Sequence, residues 1–372
     1  MNPQDTFCPN IDCPARGQTG KGNIGVHSQK DKRYKCNVCD KTFSHTKETI
    51  FYRLRTDAEI VMIVIALLAY GCPVQAIVKA YGFDERTVKS WWRKAGKHCE
   101  GVHNHLVGSS QQDLEHVQAD EIKVKKQGGH FWMALAMMVS TRLWLGGAIS
   151  PKRDLGLIQT LANQIRQIAL CRRLLLAVDG LASYVKAFRR AFRTPVREGK
   201  PGRPRLNSWP GIHIVQVIKR RSGRKLEIER RIVQGSKKTI KKLLEISQNG
   251  GKINTSYIER LNATFRQRLS WLARRTRNLA QQAETLKAGM YIVGALYNFC
   301  DVHHSLRLKL SVGKRGYRWV QRTPAMAAGL SDHRWTVAEI FHFKVPVPRW
   351  SPPKCRGRPS KATLKLVEEW CQ

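Results

Sequence analysis

Residues 117–192 leave this chain the fewest choices of fold. Residues 117–125 read as a strand. Residues 131–140 are almost wholly apolar and predict a second strand, covered on both faces. Residues 143–149 predict a third. Over 154–168 the period changes: Leu157, Leu161, Ile165 and Ile168 fall on one side of a helix. Residues 174–178 form a short buried strand that stops at Asp179. Gly180 then lets the chain turn, and 184–192 is helical again. Three strands, helix, strand, helix is an α/β order with a mixed central sheet.

Upstream, Cys8-x4-Cys13 is followed after 22 residues by Cys36-x2-Cys39. Two cysteine knuckles in a Gly- and Lys-rich segment suit one tetrahedral Zn2+ held by four thiolates. Few apolar residues surround them, so the metal would supply much of the folding free energy. Four protein ligands leave no open position, which makes the zinc structural. His27 and His45 are alternative ligands. Residues 57–98 predict three helices. Asp57 caps the first, Gly71-Cys72-Pro73 breaks it, Gly82-Phe83 separates the second from the third, and Asp84 caps the third. The third carries Arg86, Lys89 and Arg93. Two short helices about a glycine turn, the second basic, fit a helix-turn-helix; a three-helix bundle with a solvated basic face is the plainer alternative. Residues 101–113 are polar and read as a linker.

Downstream, residues 194–210 hold four prolines and predict an extended basic loop, the start of an insertion over about 194–233. Within it, 212–218 and 226–233 suggest a hairpin. A helix over 237–246 ends at Asn249-Gly250-Gly251. The next helix opens with Ser256 as expected N-cap and buries Ile258, Leu261, Phe265, Leu269 and Leu272. Its first turn carries Glu259. No other acid follows until Glu284, but Arg260, Arg266, Arg268, Arg274, Arg275 and Arg277 do. Ser256-x-x-Glu259 also fits a capping box, in which Glu259 only bonds the N-cap amide. A further helix covers 283–299. The Pro-rich tail past Val345 contains Arg356-Gly357-Arg358-Pro359, a run suited to an A·T-rich minor groove or to a solvated linker.

Lys plus Arg number 66 against 27 acids, a formal charge of +39, which calls for a polyanionic partner, nucleic acid first. Residues 60–69, the longest apolar run, are too short to span a bilayer, and the first 18 residues lack a signal-peptide core. The chain is therefore expected in the cytoplasm, with no membrane partner and its ten cysteines as thiols or metal ligands.

Three acids in separate elements remain as catalytic candidates. Asp120 lies in the first strand, and strand alternation predicts that Asp120 and Glu121 do not serve one site. Asp179 ends the fourth strand, where α/β sheets place ligands. Glu259 opens the late helix. Each has a plainer alternative: edge-strand surface for Asp120, turn initiation for Asp179, the capping box for Glu259. Three such carboxylates supply the hard oxygen ligands of two Mg2+ ions (or Mn2+) set for in-line displacement at phosphorus.

From about Cys8 to Leu330 the chain resembles the DDE transposases of bacterial insertion sequences, and among them the insertion sequence one family. The matching residues are Asp120-Glu121, Asp179 within Ala-Val-Asp-Gly, and Ile258-Glu259-Arg260-x-Asn262 followed by Arg266. Arg-Arg-Thr-Arg at 274–277, Tyr297-Asn298-Phe299-Cys300, His303-His304-Ser305-Leu306 and the segment 323–330 also match. The resemblance implies a zinc ribbon (1–50), a helix-turn-helix domain (51–105), a ribonuclease H-like catalytic domain (114–310) and a basic tail (311–372). It implies that Asp120, Asp179 and Glu259 are the metal-binding triad and that Arg266 contacts DNA near the cleaved phosphate. Expected partners are double-stranded DNA, as terminal inverted repeats and target, and further copies of the chain in a dimer or larger assembly. The expected activity is strand cleavage and transfer, the expected location the bacterial nucleoid. A non-catalytic DNA-binding derivative and a nuclease on the same fold are the alternatives.

Overall fold

The computed structural model describes residues 2–371 except 198, 200, 201, 224, 277, 313–315 and 354–356. They fall into two compact units, Met1–Val61 with Phe341–Gln372, and Met62–Ile340. This division differs from the four consecutive segments expected from the sequence.

The first unit begins with a three-stranded antiparallel meander of β1 (Ile24–Ser28), β2 (Arg33–Cys36) and β3 (Thr42–Ser44). Its core is small: Cys8, Cys13 and Cys36 beside Ala15, Ile24, Tyr34 and Phe43. So few apolar groups cannot offset the chain entropy of ordering the segment without a further cross-link.

Three helices follow as the sequence predicts, α1 (Ala58–Ala69), α2 (Val74–Tyr81) and α3 (Glu85–His103). Asp57 Oδ1 accepts from the Glu59 amide at 2.7 Å, and Asp84 Oδ1 from the Arg86 amide at 2.8 Å. Gly82 closes α2 with φ 69°, a left-handed conformation that suits glycine. The linker expected over 101–113 is largely absent. α3 runs to His103 and one wider turn continues to Gly108, because Val102, His103 and Val107 are buried.

The second unit is built on a six-stranded mixed sheet. Its strands are β4 (His116–Lys126), β5 (Gly129–Met138) and β6 (Trp144–Ser150), then, after α4 (Leu155–Ile168), β7 (Leu174–Val178). After α5 (Ala182–Ala191), β8 (Arg193–Val196) and β9 (Arg205–Ser208) form a small separate hairpin. β10 (Ile212–Ser222) and β11 (Lys225–Gln234) return to the sheet, whose order is β11-β10-β7-β4-β5-β6. β7 lies parallel to both β4 and β10, and the remaining pairs are antiparallel. This mixed α/β arrangement is compatible with a ribonuclease H-like fold.

Two expectations need correcting here. The segment 194–210 is not wholly an extended loop, since Thr194↔Asn207 and Pro195↔Leu206 pair across the β8–β9 hairpin. Nor does an insertion extend over 194–233. The side chains of Ile212, Ile214 and Val215 are buried, and β10 pairs with β7 from Ile212↔Leu174 to Gln216↔Val178. Pairing with a central strand makes β10 part of the sheet.

α6 (Lys237–Gln248), α7 (Ser256–Arg268) and α8 (Ala283–Phe299) follow. After them come a hairpin of β12 (Leu308–Val312) and β13 (Gly316–Val320), then α9 (Pro324–Ala327), α10 (Val337–His342) and α11 (Lys361–Trp370). The end of the chain is not a free tail. Within the first unit the Gln18 side chain donates to the Trp370 carbonyl at 2.5 Å, Lys344 donates to Thr6 Oγ1 at 2.8 Å, and Trp370 packs on the cysteine cluster. Among the described residues no helix is long and apolar enough to cross a membrane.

Helices α3 and α8 meet at Gly96. A Cβ built there would stand 2.3 Å from Ala288 Cβ and 2.4 Å from Ala288 Cα. Gly96→Ala should gain about 1 kcal/mol of helix propensity and lose more to overpacking, about 3 kcal/mol or beyond, because backbone must move. The expected net result is a melting temperature lowered by several degrees, checked by calorimetry. An unchanged or raised value would mean the helices do not cross this closely.

Candidate active site

The acids converge through the sheet register. β4 and β7 run side by side with Gln118↔Ala177, so two residues further on Asp120 and Asp179 come level on neighbouring strands. Carboxylate oxygens of Asp120, Glu121 and Asp179 all lie within 4.8 Å of one another. Strand alternation therefore does not keep Glu121 away. It does send the two neighbours to different helices: Asp120 accepts from Asn262 Nδ2 on α7 at 2.8 Å, while Glu121 accepts from the Tyr184 hydroxyl on α5 at 2.7 Å. The Glu121 side chain, 1% exposed, also pairs with Arg153, whose guanidinium bonds Asp179 Oδ2 at 2.8 Å.

Glu259 is not a member of that trio. Its carboxylate pairs with Lys219 on β10 and accepts from Thr255 Oγ1 at 2.7 Å. It stands on α7 one turn before Asn262, near enough for its charge to be felt at Asp120. The capping box is not formed. The N-cap is Thr255, one residue earlier than expected, and the Ser256 amide donates to Asn254 Oδ1 at 3.1 Å. The start of α7 is held instead by buried Gln118, whose Oε1 accepts from the amides of Tyr257 and Ile258, each at 3.1 Å. Gln118 shares its strand face with Asp120, two residues on, so β4 itself sets the place of α7.

Burial, reinforced by Glu121, Asp179 and Glu259, raises the Asp120 carboxyl to about 7. Burial and Asp179 also push Glu121 up, against the pull of Tyr184 and Arg153. Partial burial works to raise Glu259, but Lys219 and Thr255 outweigh it and hold the carboxyl below its usual range. Four acids, Asp120, Glu121, Asp179 and Glu259, thus face three cations, Arg153, Lys219 and Arg266, and the acids remain in excess. An all-oxygen donor set with that surplus fits a divalent ion such as Mg2+ or Mn2+. Asn262 adds a buried Oδ1 with no partner among the described residues.

The sign of the pH effect follows. Because folding raises the Asp120 pKa above 3.8, the protonated acid stabilises the metal-free fold below about pH 4, and that stabilisation is lost as pH rises through about 7. Asp120→Asn should therefore be more stable than the parent at pH 8, by roughly 2–4 kcal/mol, with the difference vanishing near pH 4. Binding of Mg2+ should weaken up to about tenfold per pH unit below 7, since the ion displaces that proton. Calorimetric titration at pH 6 and 8 checks this; equal affinities would contradict it.

In the first unit the Sγ atoms of Cys8, Cys13, Cys36 and Cys39 lie within 4.8 Å of one another, with Cys8–Cys39 at 3.7 Å and Cys13–Cys36 at 3.8 Å. A tetrahedron of Zn–S bonds near 2.3 Å has an edge of about 3.8 Å. Burial pushes the Cys8 thiol well up and Cys13 to about 12, so gathering thiolates here requires a cation. The four cysteines could thus hold zinc. His27 and His45 are not in the group.

The expected DNA-contacting residues divide by place. Arg86, Lys89 and Arg93 are exposed on α3, with Lys89 paired to Glu85 at 2.6 Å. Arg266 lies near the acids: burial and Arg274 lower its pKa while Asp120 raises it. Arg274 and Arg275 are exposed, and Arg277 is outside the described residues. Arg358 is exposed in the first unit, whereas Arg356 of the same run is outside the described residues. Sequence reasoning missed Gln118, Arg153, Tyr184 and Lys219, and it named Asn262 without a role. Two of the five had a positional signal: Gln118 at i−2 from Asp120 on a strand, and Asn262 at i+3 from Glu259 on a helix.

Searches against protein-family models and among curated proteins match nothing to this chain.

Proposed function

We propose that the chain is a DDE-type DNA transposase, a metal-dependent enzyme that cuts DNA strands at element ends and joins them to a target. The observation that carries this reading is the clustering of Asp120 and Asp179 on adjacent parallel strands, with α7 docked over them by Gln118 and Asn262 so that Glu259 stands at the margin. In this reading the domain is ribonuclease H-like and Asp120, Asp179 and Glu259 hold the metal. When bound, Mg2+ (or Mn2+) supplies Lewis-acid activation of the attacking water or 3′ hydroxyl and charge stabilisation at the departing oxygen. The chain's own groups have separate tasks. Arg153 fixes the Asp179 carboxylate, Asn262 fixes that of Asp120, and Arg266 meets the phosphate backbone beside them. Lys219 keeps Glu259 paired until a stronger cation or a phosphate competes for either partner.

The exposed basic face of α3, with Arg86, Lys89 and Arg93, would dock on double-stranded DNA, and the zinc ribbon would add to end recognition. A dimer or larger assembly would bring two ends together. One observation favours a binding-only protein instead: Glu259 is paired with Lys219 and stands outside the close trio. The deciding experiment incubates the full chain with Mg2+, plasmid target and labelled duplexes drawn from either side of its coding sequence. Nicked and joined strands support the transposase, cut strands alone a nuclease, and retained but uncut duplexes the binding-only reading.

A further inference from the structure

α7 has a second working face. Glu259, Asn262 and Arg266, at i, i+3 and i+7, turn toward the acids. Arg260, Thr264 and Gln267, at i, i+4 and i+7, form a second row about 100° further round the helix. That second face, with Tyr257, walls a cleft of about 660 Å3 whose other sides include Tyr70, Arg142, Tyr297, Asp301, His303 and Ser305. Its cations outnumber its acids. Asp301 is already engaged, by Arg268 at 2.7 Å and by the Tyr70 hydroxyl at 2.7 Å. Arg142, which donates to the Val139 carbonyl, and Arg260 have no acid partner among the described residues, and the Arg260 side chain has no hydrogen bond there either. His303 registers the field: burial first, then Arg142 and Arg260, lower its pKa.

The cleft also carries flat surfaces. The Arg142 guanidinium lies 4.0 Å from the centre of the Tyr257 ring, and that of Arg268 lies 4.4 Å from Tyr70. Arg142 occupies a left-handed backbone position, φ 61°, at the tight turn between β5 and β6. A bulky residue rarely adopts that conformation, so surrounding structure must fix it there. Guanidiniums stacked on tyrosines, with an unpaired arginine beside them, suit a ligand that alternates phosphates with planar rings. The volume lies within the range of small-ligand sites, enough for one or two nucleotides and far too little for a duplex.

We infer that this cleft binds unpaired nucleotides of a DNA strand whose continuation passes over α7 to the acid cluster. The inference rests on the nucleic-acid reading of the acid site but is tested apart from it. The assay measures binding of fluorescent hexathymidylate, and separately of a duplex, to the full chain without metal. Arg260→Gln and Tyr257→Ala are each expected to weaken hexathymidylate binding about 5- to 100-fold and to leave duplex binding within about threefold. Lys241→Gln, which removes the same charge from the exposed surface of α6, should change neither. Thermal melts confirm folding, and Arg260, being exposed, serves if Tyr257→Ala unfolds. Equal binding by all variants, or equal losses for single strand and duplex, overturns the cleft assignment. An acid site that cuts nothing while hexathymidylate still depends on Arg260 would sink the transposase reading and spare the cleft.

Discussion

Asp120→Asn is expected to lose Mg2+-dependent strand cleavage by at least about a thousandfold while binding duplex DNA as the parent does. The substitution keeps shape and removes one of the charges that draw a cation to the end of β7, beside mid-β4. Its Oδ1 can still accept from the Asn262 amide, which now donates to the Asp120 carboxylate at 2.8 Å. Folding should survive, because loss of a buried charge near two other acids relieves repulsion. The measurement is the initial rate of nicking on a labelled duplex, with binding followed by anisotropy. Cleavage at the parental rate would remove Asp120 from the mechanism. Loss of both cleavage and duplex binding would mean that the acid serves the DNA interface or the fold instead.

Removal of zinc should have the second large effect, confined to the first unit. Structural zinc contributes about 10–16 kcal/mol in small domains, far beyond what the few buried apolar groups around Cys8, Cys13 and Cys36 can supply. A chelator, or Cys36→Ser, should therefore unfold the β1–β3 meander and expose Trp370, which packs against the cluster. Fluorescence of the chain should change on chelation and recover with one equivalent of Zn2+. The six-stranded sheet of the second unit has its own core of Val117, Leu135, Leu176 and Val215 and should stay folded. Metal analysis finding no zinc, with the meander intact, would refute the assignment.

Much of the sheet was legible because its strands advertise themselves. The apolar run 131–140 has only one environment available to it, and Asp179 follows five buried residues, Leu174 to Val178, at the end of β7. Helices α1 to α3 were legible from Asp57, Gly82 and Asp84, which act locally. What escaped was set by contacts distant in sequence. The partner of β10 is β7, and no local pattern distinguishes that edge from an insertion. The tail past Val345 reads as Pro-rich and basic, and α11 with Trp370 against the cysteines was not foreseen in it. Glu121 was set aside by strand alternation, a sound rule for Cβ directions that a long side chain just past the end of the neighbouring strand, β7, can outreach. Glu259 was legible as an acid among arginines, but its pairing with Lys219, 40 residues earlier, was not.

The most direct measurement is anomalous scattering from crystals soaked with Mn2+, which locates the ion among the acids. The account predicts a peak bound by oxygens of Asp120 and Asp179, with Glu259 released from Lys219 and turned toward it. A peak elsewhere, or none at saturating Mn2+ while the four acids keep their present partners, would contradict it.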